Sequence, residues 1–331
     1  MKQRETTRSI LAKRFKRTSH SAALIFRSSA CAKVRFSLLL LIAGASAGCT
    51  AQTVTSLPQD VRTATYTNPA TYTFVSFEPP HGMVTLAGCT FGIDNAGDVV
   101  GCYYDSHGAH GFERLANGTL STFTDPNASA TVGAGINYLG TTIVGTACIK
   151  KTKRSSAVRG GCGGSYEWGG YLLQSGSFTN YLFQGDSTFI YAINDNGLFV
   201  GKYSGGGFIS NGTTVAGAVL AGINNRGIVV GYAGSSAYEY DTTGKNLGKI
   251  AVPGIVPASG LGINNKRFVV GLFLDSQKKS HCFIYRKGMY AQLDVPNAAS
   301  ITSCDGINDG GQIVGTYQAQ NGGPTGFIAT P

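Results

Sequence analysis

Acid–base catalysis needs two titratable side chains held at one place, and this chain offers few from which to build such a pair. Past the first 50 residues the histidines are His81, His107, His110 and His281, and the glutamates are Glu78, Glu113, Glu167 and Glu239. His110 and His281 stand in the same local context, two residues before a phenylalanine, which points to packing. No acid recurs beside another in the way a glycoside-cleaving couple requires. Nucleophile-elbow, P-loop and zinc spacings are missing. The residues therefore nominate no catalytic group, and a glycan lyase or hydrolase assembled from distant loops is the alternative reading.

Three other constellations carry chemistry. Beyond Cys31 and Cys49 lie six cysteines. Cys89 and Cys102 flank a hairpin whose turn sets them opposite one another, and Cys148 and Cys162 flank a long insertion whose base they would staple. Cys282 and Cys304 are left over, with no geometric reason to pair. Finger-like ligand spacing does not occur, so neither a metal nor a cofactor is expected.

The insertion holds Lys150, Lys151, Lys153, Arg154 and Arg159, then Tyr166 and the single tryptophan, Trp168. Cations beside aromatics suit an acidic polysaccharide or an anionic surface. The competing reading is a solvated loop with Trp168 packed on its own blade. A recurrent asparagine (Asn137, Asn194, Asn224, Asn264, Asn308) offers oxygens for a polar ring, although capping of its own turn explains it more simply.

The elements that position these groups repeat. A Gly or Ala, then Ile, then Asn or Asp, a turn, and a β-branched pair ending in Gly occur six times, from Gly92-Ile93-Asp94 to Ile313-Val314-Gly315. Ile-to-Ile intervals are 43, 57, 30, 40 and 44 residues, a period typical of propeller blades. Each phrase reads as a hairpin closed by Asn or Asp and Gly, except that Arg267 replaces the glycine in the fifth copy. That turn must be strained or differently shaped. A third strand carries an aromatic after a small residue, as in Gly207-Phe208, and a fourth ends before proline, as in Val252-Pro253. Phe77-Glu78-Pro79-Pro80 resembles a fourth strand, and Gly326-Phe327-Ile328 a third. The expected fold is all-β, a six-bladed β-propeller whose last blade is closed by the N-terminal strand.

Residues 1–48 read as an export signal, 49–70 as a flexible tether and 71–331 as the propeller. Ten of the 27 basic residues and one of the 17 acidic ones precede Cys49, leaving 17 against 16, so a nucleic-acid footprint is absent from the folded part. Ala47-Gly48-Cys49 ends like a lipobox, with Ser46 where leucine is usual. Cys49 is thus a lipidation candidate beside simple cleavage after Ala47. The chain is expected to be exported, extracellular or attached to the cell surface, with any membrane contact through Cys49 alone.

These repeats resemble the bacterial extracellular HAF family, named for a His-Ala-Phe signature that His110-Gly111-Phe112 and His281-Cys282-Phe283 approximate. The similarity covers roughly residues 72–330. It implies a secreted or surface repeat protein and brings no catalytic residue. The partners expected are a polysaccharide or a surface protein, bound by a monomer without nucleic acid. Metabolic labelling with a radioactive fatty acid decides the fate of Cys49: label removed by Cys49→Ala establishes the anchor, and an unlabelled wild-type chain rules it out.

Overall fold

Each Gly-Ile-Asn phrase folds into the two innermost strands of a small antiparallel sheet. The computed structural model describes residues 65–66, 72–78, 91–150, 162, 165–252, 257–320 and 322–331. They form six such sheets, the blades of a β-propeller. The inner strands are Gly92–Ile93, Ala128–Ile136, Phe189–Ile193, Ala218–Ile223, Ala258–Ile263 and Ala298–Ile307, in blades 1 to 6. They contact one another in a closed circle, blade 6 returning to blade 1.

Closure follows the expectation from the chain ends. Blade 6 takes its fourth strand from Thr73–Phe77, which pairs antiparallel with Pro324–Thr330. Two residues from the stretch expected as tether, Thr65–Tyr66, add a short parallel strand to the outer edge of blade 5. Blade 3 has the shortest fourth strand, Thr214–Ala216, as its 30-residue interval implies.

The cores lie between blades. Phe112, Tyr171, Phe208, Phe283 and Phe327, the aromatics of the third strands, are fully buried. Tyr238, their counterpart in blade 4, is only partly so. Phe77 from the closing strand meets Phe91 and Phe112 of blade 1 edge-on, at 6.2 Å between ring centroids. The ring is thus sealed by apolar burial as well as by strand pairing.

The glycine before the Ile, present in every blade but the third, where Ala192 stands, exists for close approach. A Cβ on Gly135 would sit 2.6 Å from the carbonyl oxygen of Tyr191 in the next blade, and one on Gly306 would sit 2.8 Å from that of Phe91. The fifth-copy turn keeps the shape of its siblings. Arg267 N–H bonds Asn264 C=O at 3.0 Å, as Gly227 bonds Asn224 at 3.1 Å, and Arg267 takes φ 61°. It is therefore strained rather than reshaped, at a cost of about 1 kcal/mol. Its side chain offsets that cost by a two-pronged bond to Glu239 of blade 4, at 3.0 and 2.8 Å.

Disulfides join distant positions. Cys148 and Cys162 are bonded, as their place around the insertion suggested, with Cα atoms 5.8 Å apart. Cys102 is also disulfide-bonded, while Cys89 lies outside the described residues. Cys282 and Cys304, expected to have no reason to pair, are bonded across the gap between blades 5 and 6, Cα atoms 5.7 Å apart. Packing of consecutive blades brings the third strand of one beside the inner strand of the next.

Capping is half of what the recurrent asparagine does. In blade 5, Asn264 accepts the N–H groups of Lys266 and Phe268 through Oδ1, and donates its amide to Asn308 C=O of blade 6 at 2.9 Å. Asn264→Ala leaves the buried Asn308 carbonyl and two part-buried N–H groups unpaired and is expected to cost about 3 kcal/mol. Exposed Asn117, which caps only Thr119 of its own turn, should cost under about 1 kcal/mol when changed to Ala. Comparable shifts in urea midpoint for the two variants would refute the inter-blade role.

Candidate functional site

The six inner strands enclose a narrow central cavity, and one irregularity decides what lines it. In blades 2 to 6 the pairing register slips at Ala134, Tyr191, Ala221, Leu261 and Asp305. Such a β-bulge leaves one residue unpaired and re-aims its side chain. All five line the cavity. Phe91 holds the same place in blade 1, but its ring packs outward on Phe77 and Phe112. The space left holds about four water-sized groups.

Tyr138 closes one end. The second copy is one residue longer than the others, and Tyr138 follows its asparagine. The phenol donates to the carbonyl of Ile263 in blade 5, the blade opposite, so the ring spans the channel. Burial raises its pKa further above the ordinary phenol value. Every inner strand runs toward its Asn turn, so this end is the turn face. The opposite face carries the connections from second to third strand and from each blade to the next.

Among the described residues Asp305 is the one carboxyl-bearing residue that lines the cavity. It is 7% exposed, and burial pushes its pKa up to about 7, opposed by hydrogen bonds from the Ser303 hydroxyl and the Phe91 N–H. Its Oδ2 has no hydrogen-bond partner among the described residues. The phenol of Tyr191 is likewise pushed above its ordinary value by burial. Neither residue stood out in the sequence. The signal was present in the position before each Gly-Ile-Asn, which reads Phe, Ala, Tyr, Ala, Leu, Asp around the ring.

The sequence-derived site lies on the face opposite the Asn turns. Lys150 ends the second strand of blade 2, Tyr166 begins the third, and the two are direct cross-strand partners. Lys150 is exposed and Tyr166 is 36% exposed. Trp168 pairs with Cys148 and packs its half-buried ring 6.1 Å from Phe189, over which Lys202 also lies at 5.2 Å. Lys151, Lys153, Arg154 and Arg159 lie outside the described residues.

The histidines hold loops. His281 bridges Asp294 at 2.9 Å and Asp275 at 3.3 Å, and stacks on Phe273. His110 repeats this with Thr124, Asp105 and Tyr103. Recurrence at two blades, away from the cavity wall, marks a scaffold device. Among the described residues no three His, Cys, Asp or Glu side chains gather as metal ligands.

No family model and no curated protein matches the chain. Among solved structures it is similar to a chain of the mitotic checkpoint complex, at 10% identity and a TM-score of 0.41, covering 83% of this chain and 98% of that one. An acylaminoacyl peptidase, in complex with Z-Gly-Gly-Phe-chloromethyl ketone, gives 7% and 0.41 over 72% of this chain and 43% of that one. PorZ, a surface component of the type-IX secretion system of Porphyromonas gingivalis, gives 12% and 0.27 over 77% and 42%. The chain thus spans less than half the length of the last two. Likenesses this distant assign no activity.

The raised pKa of Asp305 has a sign that stability measurements can read. Between about pH 4 and about pH 7 the folded chain holds a proton that the unfolded chain has released, so stability falls as pH rises through that window. Relative to Asp305→Asn, the wild type should lose at most about 4 kcal/mol across it. Urea midpoints measured against pH check this, and parallel profiles for the two proteins would sink the assignment.

Proposed function

We propose that this chain is an exported, non-catalytic propeller that binds an acidic polysaccharide through blade 2 on the face opposite the Asn turns. One observation carries the reading. The exposed Lys150–Tyr166 pair and the half-buried Trp168 sit at the base of a loop that the Cys148–Cys162 bond closes. The Cys148–Cys162 bond ties the chain beside Lys150 and so reduces the conformational freedom lost when Lys150, Tyr166 and Trp168 engage a ligand. Aromatic rings give a sugar face an apolar platform, and lysines pair with its carboxylates. The basic residues Lys151, Lys153 and Arg154 continue the same stretch of sequence. Its disulfides are compatible with an oxidising compartment, consistent with the export reading of residues 1–48.

The test is binding of a soluble polyuronate to the immobilised chain. The double variant Lys150→Ala, Trp168→Ala should bind about tenfold more weakly, and wild-type binding should weaken as salt screens the lysine. An unchanged affinity in a variant with a wild-type unfolding midpoint counts against the site. Retention of surface proteins but no polyuronate would move the ligand to protein, and turnover of any polysaccharide would favour the lyase or hydrolase alternative.

A further inference from the structure

We propose that two blades grip the acidic polysaccharide, with Lys202 of blade 3 as a second carboxylate anchor beyond Lys150, so that the site takes a chain of uronates rather than a single one. This deepens the blade 2 reading and rests on it.

Strand parity aims the blade 2 groups at blade 3. Residues opposite one another across two strands share a side of the sheet, and sides alternate along each strand. Cys148, Lys150, Tyr166 and Trp168 therefore lie on one side, together with Val144 and Leu172 further along the same strands. Val144 and Leu172 pack with Ile190 and Phe208, so that side faces blade 3. A main-chain bond fixes the join. Thr188 N–H, in the connection into blade 3, donates to the carbonyl of Trp168 at 2.9 Å. The indole thereby stands beside Phe189, the first residue of the inner strand of blade 3.

Lys202 extends this row. It is the direct cross-strand partner of Phe189, and its ammonium lies 5.2 Å from the centre of that ring. Cation–π attraction holds an ammonium in place without neutralising it. Among the described residues Lys202 has no hydrogen-bond or ion-pair partner, and its nitrogen is not shut off from water. The acids of the adjoining segments are engaged elsewhere. Asp186 accepts the Ser187 N–H and the Ser204 hydroxyl. Glu167 is buried, and its register with Ile149 turns it to the other side of blade 2.

Two cations thus flank a row of three aromatic side chains, Lys150 beside Tyr166 and Lys202 over Phe189. Tyr166 and Trp168, same-side neighbours on one strand, are about 7 Å apart along it. The Trp168 and Phe189 rings add a further 6.1 Å. Such a row is longer than one pyranose ring, and one uronate carries one carboxylate. Occupying both lysines therefore needs at least two uronates on one chain, the second pairing intramolecularly at a raised effective concentration.

The experiment is calorimetric titration of the full chain with galacturonic acid and with oligogalacturonates of increasing length, at low and at physiological salt. Affinity should rise about tenfold from the monomer to the length that reaches both lysines, and level off beyond it. Lys202→Met should remove about tenfold of the oligomer's affinity and flatten its salt dependence, while Lys202→Arg, which keeps the charge, retains both. The length series uses the wild type alone, so it stands whatever a variant does to folding. Equal affinity for monomer and oligomers would overturn the second anchor and leave the blade 2 reading intact. So would wild-type binding by Lys202→Met beside weakened binding by Lys150→Ala. Oligomers that do not bind the wild type, or that bind Lys150→Ala unchanged, would overturn both.

Discussion

One side chain with two ends holds the ring together. At the end of the inner strand of blades 3 to 6 an asparagine accepts N–H groups of its own turn through Oδ1 and offers its amide to the neighbouring blade. The donation runs Asn194 to Asn224, Asn224 to Asn264, Asn264 to Asn308 and Asn308 to Asp94, each onto a main-chain carbonyl at 2.8–3.0 Å. Every member is buried. The link works only if adjacent inner strands lie within hydrogen-bond reach, which forces glycine or alanine at the preceding position. It also fixes the width of the channel. Turn chemistry, strand spacing and cavity size are therefore one constraint seen at three scales.

The belt is broken on both sides of blade 2. Asp94 has no amide to donate, and Asn137 turns its own amide to Thr141. A second row makes good the loss: Asn95 N–H bonds Tyr138 C=O, and Leu139 N–H bonds Asp195 at 3.0 Å. Blade 2 is also where the phrase gains a residue and where Tyr138 fills the channel. Extra length at this turn relaxes the repeat and frees a side chain to reach the opposite blade. The irregularity in the scaffold and the closure of the cavity have the same origin.

What the sequence revealed was whatever depends on local pattern. Period-two strands, Asn-Gly turns and the third-strand aromatics are decided within a blade, so six blades and their N-terminal closure were legible. So was the Cys148–Cys162 bond, whose partners flank one insertion. The Cys282–Cys304 bond, the inter-blade half of the asparagine's work and the Asp305 cavity were not. Each depends on which strands become neighbours once the blades pack side by side, and no local period encodes that. The position before each Gly-Ile-Asn looked like background variation because a bulge, invisible in sequence, decides that it faces inward.

The two faces differ in what they leave free. On the turn face the asparagine row and its neighbours consume their polar atoms on one another; Asn225, for example, is bound by Asp195 and Asn265 serves Asp309. A ligand arriving there would compete with the bonds that close the ring, so recognition and stability would oppose each other. Among the described residues the opposite face carries no such belt. Its connections vary in length from blade to blade, Lys150 and Tyr166 project there, and the central cavity is blocked from the other side by Tyr138. Sequence change on that face costs the ring little, which is the physical reason to place recognition there.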